Sequence, residues 1–216
     1  MSQLEVTQVP SPNFGPRRDG LRPELIVLHY TSMASAKAAV ARLCDESAEV
    51  SAHYLIAGDG TITQMVSEDM RAWHAGAGEW QGRGDVNSRS IGIELDNRGN
   101  HPFAEPQMAA LEALMAGIMV RWQIDLEGVI GHSDMAPGRK IDPGARFDWA
   151  RLVRLGLARA AGPAPAHCDV TPDGFVAAAK AAGFTADVPF ETLLETTRLR
   201  FAPWRRGPLC AGDFAL

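Results

Sequence analysis

The sequence predicts an α/β protein with a mixed central sheet flanked by helices, followed by a short, mostly helical C-terminal tail. Strand-like and helix-like segments alternate between residues 20 and 160. Two strand-like runs surround the glycine-rich turn 57–60, which predicts an antiparallel hairpin. Apolar residues make up 46% of the 216 residues, which suffices for one good-sized core.

The first half of the chain is predicted to enter the sheet after an N-terminal arm. Proline, glycine and arginine make residues 1–22 an extended arm. The apolar run 25–30 predicts a buried strand, and the alanine-rich residues 35–47 predict a helix. Residues 52–56 and 61–66 are the two predicted strands of the hairpin.

The middle of the chain alternates loops, strands and a long helix. A glycine-rich loop is predicted over 76–84 and a strand over 90–95. Apolar residues at helical spacing, preceded by a proline, predict a helix over 106–123. A brief strand at 129–130 is predicted to lead into a proline- and glycine-rich loop over 133–146.

The last segments are predicted to be a helix, a linker and a tail. Asp148 is a candidate N-cap for a helix that reaches about residue 160. Alanine, glycine and proline predict a linker over 161–167, and residues 168–216 are predicted to form a small helical tail. Residues 23–160 are therefore predicted to form the main domain.

Charge and cysteine content exclude several classes of function. A net charge of -5 gives no support for binding nucleic acid or an anionic membrane. The three cysteines, Cys44, Cys168 and Cys210, are too few for a disulfide framework, which favours a reducing compartment. The N-terminus lacks a basic-then-apolar signal pattern, and no apolar run approaches the roughly 18 residues of a membrane span. We expect a cytoplasmic protein, with the periplasm as the alternative, and a monomer is favoured over an oligomer.

Three residues of metal-ligand type stand at predicted strand ends or in loops. His29 closes the first apolar strand, His132 closes the brief strand, and Asp142 follows ten positions later. Two imidazoles and one carboxylate suit a catalytic zinc site, because three protein ligands leave a fourth position for water. A single histidine at a strand end is more often a hydrogen-bonded structural residue, and spacing alone does not bring the three together.

Five segments of the chain, taken in order, resemble the N-acetylmuramoyl-L-alanine amidase type 2 family. They are His29–Thr31, Ser51–Tyr54, Trp73–Gly76, Ser90–Glu94 and Gly131–Gly144. The resemblance spans about residues 24–150, and its last segment is typical of the branch that recycles cell-wall fragments. It implies a zinc-dependent hydrolase that cuts the amide bond between N-acetylmuramic acid, expected in its 1,6-anhydro form, and L-alanine. The expected partner is a muropeptide or peptidoglycan.

The resemblance also implies roles for five residues. His29, His132 and Asp142 would bind Zn²⁺, Glu94 would transfer protons and Lys140 would stabilise the oxyanion. Amide hydrolysis needs a base for the attacking water and an acid for the leaving amine, and one buried carboxylate can serve as both. The alternative reading of Glu94 is a strand residue that points to solvent, and that of Lys140 is a solvated loop residue.

Further positions are candidates for binding substrate. His74 is expected to line the cleft, Asn87 to bind polar groups, and Arg139 to meet a peptide carboxylate through its planar guanidinium. Trp73 and Trp80 can stack on a sugar, although aromatic residues more often pack in a core. For each of these residues, structural support is nearly as common as ligand contact.

Two features separate this chain from other members of the resembled family. Members of the T7 lysozyme type carry a tyrosine where this chain has Ala52, so Glu94 is expected to carry the proton transfer. Residues 168–216 faintly resemble a three-helix peptidoglycan-binding domain, but a packing role is favoured. One rival interpretation is a non-catalytic peptidoglycan receptor, and another is a zinc protease on an unrelated fold. The chain has no His-Glu-x-x-His run, which disfavours the protease.

Overall fold

The structure, a computed structural model, describes residues 4–163 and 170–216, and its centre is a six-stranded sheet. Eight strands are present: β1 Val6–Gln8, β2 Phe14–Pro16, β3 Leu25–Tyr30, β4 Tyr54–Ile56, β5 Ile62–Gln64, β6 Met70–Ala72, β7 Ser90–Leu95 and β8 Val129–Gly131. The main sheet has the order β1-β5-β4-β7-β3-β8, and β2 pairs with β6 in a separate ribbon.

The main sheet is mixed, as the sequence predicts. Strands β4, β7, β3 and β8 run parallel to one another. Strand β5 is antiparallel to β4, which confirms the hairpin around residues 57–60. The predicted extended arm, residues 1–22, contributes β1 as a parallel neighbour of β5 and also supplies β2. These two short strands show no alternation of apolar and polar residues. Their pairing does not need it, because it rests on backbone hydrogen bonds.

Helices flank the sheet in the described part of the chain. They are α1 Ala36–Leu43, α2 Val86–Arg89, α3 Glu105–Trp122, α4 His132–Met135, α5 Trp149–Arg154, α6 Pro172–Ala181 and α7 Phe190–Phe201. Among these helices, none is long and apolar enough to cross a membrane. The mixed sheet and its flanking helices confirm the predicted fold class.

Several predicted bounds differ from the structure. Helix α1 is shorter than predicted, and a 3-10 turn follows it at residues 46–48. The predicted loop 133–146 begins with the single turn of α4. Helix α5 has Asp148 as its N-cap but ends at Arg154, because Gly156 takes a φ of 67° that a helix cannot continue through. Part of the predicted linker, residues 164–167, lies outside the described residues, as do residues 168 and 169 of the predicted tail.

The side chains of β3 alternate between two cores. Ile26 and Leu28 pack on one face of the sheet, in a cluster with the apolar side of α3. Leu25 and Val27 point to the opposite face. Because side chains alternate along a strand, His29 lies on the same face as Val27. The candidate metal ligand His29 therefore lies on the face of the sheet opposite α3.

The helical tail covers part of the second face. Phe175 and Phe184 of the tail share one buried cluster with Val27, Ile130 and Met135 of the main domain. Helix α1 covers another part of the same face, over β4 and β5. The sheet therefore stays open on this side only near the carboxyl ends of its central strands.

A buried arginine joins the tail to the turn that carries His132. Arg200 on α7 donates hydrogen bonds to the Asp134 carboxylate at 3.4 Å and to the Val129 carbonyl at 3.0 Å. Its guanidinium also lies 3.5 Å from the centre of the Trp149 ring. Asp134 in turn accepts a hydrogen bond from the backbone N–H of Gly131. The tail thus contacts residues on both sides of His132, the Val129 backbone before it and the Asp134 side chain after it.

Replacing Arg200 by leucine is expected to destabilise the protein. The change leaves the Asp134 carboxylate buried without its partner, which typically costs about 3–5 kcal/mol. Urea unfolding followed by circular dichroism measures the free energy of unfolding. The matched control is Arg206→Ala, which removes an exposed arginine that bonds only to backbone carbonyls. A loss for Arg200→Leu no larger than that of the control would contradict the prediction.

Candidate active site

The carboxyl ends of three parallel strands bring the predicted site residues together. In the register of β3 and β7, His29 is directly opposite Glu94. On the other side of β3, Leu28 is opposite Gly131, so His132 follows the end of β8 beside His29. Parallel sheets commonly place ligand sites at this edge.

Three side-chain atoms converge at the end of β3. The Nδ1 atoms of His29 and His132 lie 2.9 Å apart. The Asp142 Oδ2 atom lies 3.0 Å from the first and 2.9 Å from the second. All three residues are buried, and together they form a group that can hold a metal ion. The structure therefore unites residues that are separated by more than a hundred positions in the sequence.

The chemistry of these atoms fits a zinc ion. The His132 Nε2 atom lies 2.9 Å from the Ala75 carbonyl, which can only accept, so Nε2 carries the proton. The Nδ1 lone pair of His132 therefore faces His29 and Asp142. Burial, together with the neighbouring His132, lowers the pKa of His29 to about 4, so this imidazole is neutral at pH 7. Two imidazole nitrogens and one carboxylate oxygen are ligands that Zn²⁺ prefers, with a position left open.

Glu94 lies in the wall of the same cleft and does not point to solvent. Its Oε2 atom is fully buried and has no hydrogen-bond partner among the described residues. Burial, reinforced by the negative charge of Asp142, raises the pKa of Glu94 to about 8, while the positive charge of Lys140 acts in the opposite direction. A carboxyl group with a pKa near neutrality can both take up and release a proton at pH 7.

A cavity of about 530 Å³ opens over these groups. Glu94, Lys140, His74 and Trp73 all line it, together with the three candidate metal ligands. Lys140 is half-buried at the rim and forms no ion pair with a described residue. Its charge is therefore available to a ligand in the cavity.

His74 contacts a candidate ligand directly. Its Nδ1 atom lies 2.9 Å from His29 Nε2, and its Nε2 atom lies 3.2 Å from Ser90 Oγ. Burial and the neighbouring imidazoles hold the pKa of His74 well below its usual value. His74 thus lines the cleft as predicted, but its two ring nitrogens are both in contact with other side chains.

Two of the remaining candidates, Asn87 and Arg139, have partners within the protein. Asn87 is buried outside the cavity, where its Oδ1 accepts hydrogen bonds from the backbone N–H groups of His74 and Ala75. Arg139 lines the cavity, but its Nη2 donates to the carbonyls of Ala75 and Ala77. The geometry therefore gives Asn87 a role in holding the backbone of residues 74 and 75, in place of the predicted contact with substrate.

Of the two interpretations of Trp80, the structure supports core packing and not stacking on a sugar. Trp80 is 3% exposed and packs edge to face on Phe184 of the tail. Trp73, by contrast, is half-buried and lines the cavity. The sequence alone does not distinguish the two tryptophans, whereas the structure packs Trp80 against the tail and leaves Trp73 at the cavity.

Sequence reasoning missed two positions that shape the site. Gly92 on β7 leaves room for the His74 ring, since a Cβ at residue 92 would lie 2.4 Å from His74 Cγ. Ser90, two residues earlier on the same face, hydrogen-bonds that ring. Both residues belong to the segment Ser90–Glu94. A single sequence does not show that they are neighbours of His74.

The comparisons with known proteins agree with this geometry. A family model described as N-acetylmuramoyl-L-alanine amidase matches residues 19–145. The 1,6-anhydro-N-acetylmuramyl-L-alanine amidase AmpD of Citrobacter freundii is 37% identical over 168 residues, which cover 70% of this chain and 90% of that protein. The N-acetylmuramoyl-L-alanine amidase AmiD of Escherichia coli is 39% identical over 152 residues, covering 63% of this chain and 54% of AmiD.

Solved structures show the same fold over a longer stretch. The complex of E. coli AmiD with anhydro-N-acetylmuramic acid-L-Ala-D-γ-Glu-L-Lys covers 91% of this chain and 88% of its own, with a TM-score of 0.80 and 31% identity. Pseudomonas aeruginosa AmpDh3 with anhydromuramic pentapeptide covers 96% of this chain and 92% of its own, with a TM-score of 0.76 and 28% identity. An AmpD structure covers 73% of this chain, at a TM-score of 0.66 and 34% identity, and 96% of its own.

Proposed function

The chain belongs to the N-acetylmuramoyl-L-alanine amidase family, and from that premise we propose that it uses Zn²⁺ to hydrolyse the amide bond between N-acetylmuramic acid and the L-alanine of the stem peptide. One observation carries the proposal. The three candidate ligand atoms lie 2.9–3.0 Å apart in the cavity that also contains the buried Glu94. A receptor that only binds peptidoglycan has no need for such a set.

His29, His132 and Asp142 would hold the metal ion. A bound Zn²⁺ lowers the pKa of a water molecule to about 7 and polarises a carbonyl oxygen. The buried Asp142 carboxylate gives the site a negative charge that favours a divalent cation. The contact of His132 with the Ala75 carbonyl keeps its ligating nitrogen directed at the site.

Glu94 would move the proton. As water attacks the carbonyl carbon of the lactyl group, its proton passes to a Glu94 carboxylate oxygen. When the C–N bond breaks, Glu94 returns the proton to the alanine nitrogen, which leaves as an amine. The products are a lactyl carboxyl group and a free peptide. Lys140, at the rim of the same cavity, would stabilise the negative charge on the attacked oxygen.

The proposed substrate is a soluble 1,6-anhydro-muropeptide. Both AmiD and AmpDh3 have been solved with anhydromuramic peptides, and AmpD relatives are named for the anhydro sugar. The cavity of about 530 Å³ is a single recess that suits one sugar and the start of its peptide. The enzyme would therefore recycle fragments of the wall.

Fragments are expected to be hydrolysed with a higher kcat/KM than intact sacculi. That ratio measures discrimination between substrates, and we expect a preference of at least about tenfold, or ~1.4 kcal/mol. Mass spectrometry of the products from a 1,6-anhydro-muropeptide and from sacculi identifies the bond cut and gives both rates. Equal or greater efficiency on sacculi would refute the substrate, whereas the absence of any cut at the lactyl amide would refute the amidase.

The tail and the location complete the proposal. We propose that residues 23–160 carry the chemistry and that residues 168–216 support them by packing, without binding the wall, in a monomeric enzyme. A cytoplasmic location fits Cys44 and Cys210, which form no disulfide within the described residues. Cell fractionation with an antibody to the native protein tests the location, and its recovery in the periplasmic fraction would contradict it.

A further inference from the structure

His29 can present a lone pair to a metal ion through Nδ1 only if its proton is on Nε2. The proposed metal site requires this tautomer, and the following inference rests on that site. Unlike His132, His29 has no carbonyl oxygen of a described residue within hydrogen-bond distance of its outer nitrogen. The neighbour of His29 Nε2 is another imidazole nitrogen, His74 Nδ1, at 2.9 Å. A pair of imidazoles alone does not decide which of the two nitrogens carries the proton.

The last group in a short chain of hydrogen bonds determines which nitrogen carries the proton. Ser90 Oγ lies 2.6 Å from the Val86 carbonyl, which can only accept, so the Ser90 hydroxyl donates there. A hydroxyl has one proton. Ser90 Oγ must therefore accept from its other neighbour, His74 Nε2, at 3.2 Å. Neutral His74 then carries its proton on Nε2 and has a lone pair on Nδ1.

The lone pair of His74 Nδ1 sets the state of His29. His29 Nε2 must donate to it, which removes the proton from His29 Nδ1. We propose that Ser90 and His74 form a hydrogen-bond relay, anchored on the Val86 carbonyl, that fixes the metal-binding tautomer of His29. His74 is thus a positioning residue that acts through His29, in place of the predicted contact with substrate.

The residues around His74 hold its ring in this position beside His29. Gly92 leaves space on β7 for the His74 ring. Any other residue at position 92 would fill that space, because its Cβ would lie 2.4–2.6 Å from three atoms of the ring. Asn87 fixes the backbone of the same residue by accepting from its N–H. The His74 ring stands nearly perpendicular to the His29 ring, with an interplanar angle of 84°, which directs a ring nitrogen edge at its neighbour.

Without the relay, a competing tautomer becomes available. If His29 carried its proton on Nδ1, it would donate to Asp142 Oδ2 at 3.0 Å and occupy two ligands of the metal site. Binding a metal ion would then require moving that proton. Partners beyond the ligands of a metal site typically change metal affinity about 10–100-fold.

Ser90→Ala tests the relay with little change of shape. Its matched control is Ser51→Ala, since the Ser51 hydroxyl is also buried, donates to the Asn13 carbonyl and accepts from the N–H of Trp73, but contacts no metal ligand. The dissociation constant of Zn²⁺ from the purified protein is measured by competition with a chromophoric chelator. We expect it to rise about tenfold for Ser90→Ala and to stay within about twofold of wild type for Ser51→Ala.

Two substitutions of His74 separate positioning from packing. His74→Leu removes the acceptor, and we expect the Zn²⁺ dissociation constant to rise about 10–100-fold. His74→Asn places an amide oxygen near the position of Nδ1, where it can accept from His29 Nε2. This variant is expected to retain most of the affinity, although it packs less well than leucine.

The tautomer itself can be read directly. In the metal-free wild-type protein, long-range ¹H–¹⁵N spectra of the histidine rings are expected to show His29 protonated at Nε2, and Ser90→Ala is expected to show a mixture. Protonation of wild-type His29 at Nδ1, or equal zinc affinities of the two serine variants, would overturn the relay alone. Failure of the wild-type protein to bind Zn²⁺ would overturn the metal site and the relay together.

Discussion

Glu94→Gln is expected to lose most turnover while it keeps the fold and the bound zinc. Glutamine has nearly the same shape as glutamate but cannot take a proton from water or return one to the leaving amine. General acid–base groups contribute roughly 10²–10⁴-fold to a rate, so kcat should fall by that factor. KM for an anhydro-muropeptide should change little, because the side chain remains in place in the cavity wall.

The measurement combines steady-state kinetics with metal analysis of the same preparation. Glu127→Gln is the matched control, since Glu127 is exposed and forms no hydrogen bond or ion pair with a described residue. Its kcat should equal that of the wild type. A kcat for Glu94→Gln within about threefold of wild type would remove Glu94 from the proton transfer.

Asp142→Ala is expected to abolish zinc binding and activity together. Asp142 is the only one of the three candidate ligands that carries a negative charge, and its Oδ2 lies within 3.0 Å of both imidazoles. Its removal leaves two neutral ligands for a divalent cation. Because the metal ion supplies both the acidified water and the polarised carbonyl, turnover should fall more than about 10³-fold.

Metal content per chain and turnover after the addition of excess Zn²⁺ measure this effect. Asp187→Ala removes an exposed carboxylate of the tail and should leave both quantities unchanged. Chelation of the wild-type protein should reproduce the loss, and added Zn²⁺ should reverse it. Undiminished zinc and full activity in Asp142→Ala would show that the ligand set is wrong.

The sequence predicts the elements whose side chains have one dominant pattern. The apolar run at Leu25–Tyr30 predicted the buried strand β3, and the helical spacing of apolar residues after Pro106 identified α3 to within a residue or two. The hairpin followed from its glycine-rich turn. By contrast, β1 and β2 lie in the arm because backbone groups of β5 and β6 pair with them, and no side-chain pattern reports such pairing.

The site divides in the same way. The resemblance to a family named the ligands, Glu94 and Lys140, and the fold brings all of them to one cavity. One sequence could not predict which surface each of the other candidate side chains contacts in the folded protein. Glu94 alternates with Ile93 and Leu95, a pattern that also fits a solvent-facing position. Helix α1 and the loops that carry Trp73 and Lys140 turn that face into a cleft. The sequence left two interpretations open for Asn87 and for Trp80, because the partners of these residues are distant in the chain or lie in the tail.

The packing of the tail on the sheet has a consequence for synthesis on the ribosome. The chain is made from its N-terminus, so Val27 and Ile130 leave the ribosome before α6 and α7, which cover them, have emerged. During that interval Val27 and Ile130 lack the apolar partners that the tail supplies. The turn that carries His132 also waits for Arg200 to pair with Asp134 beneath it. The nascent chain therefore completes this part of its core only after α6 and α7 have emerged.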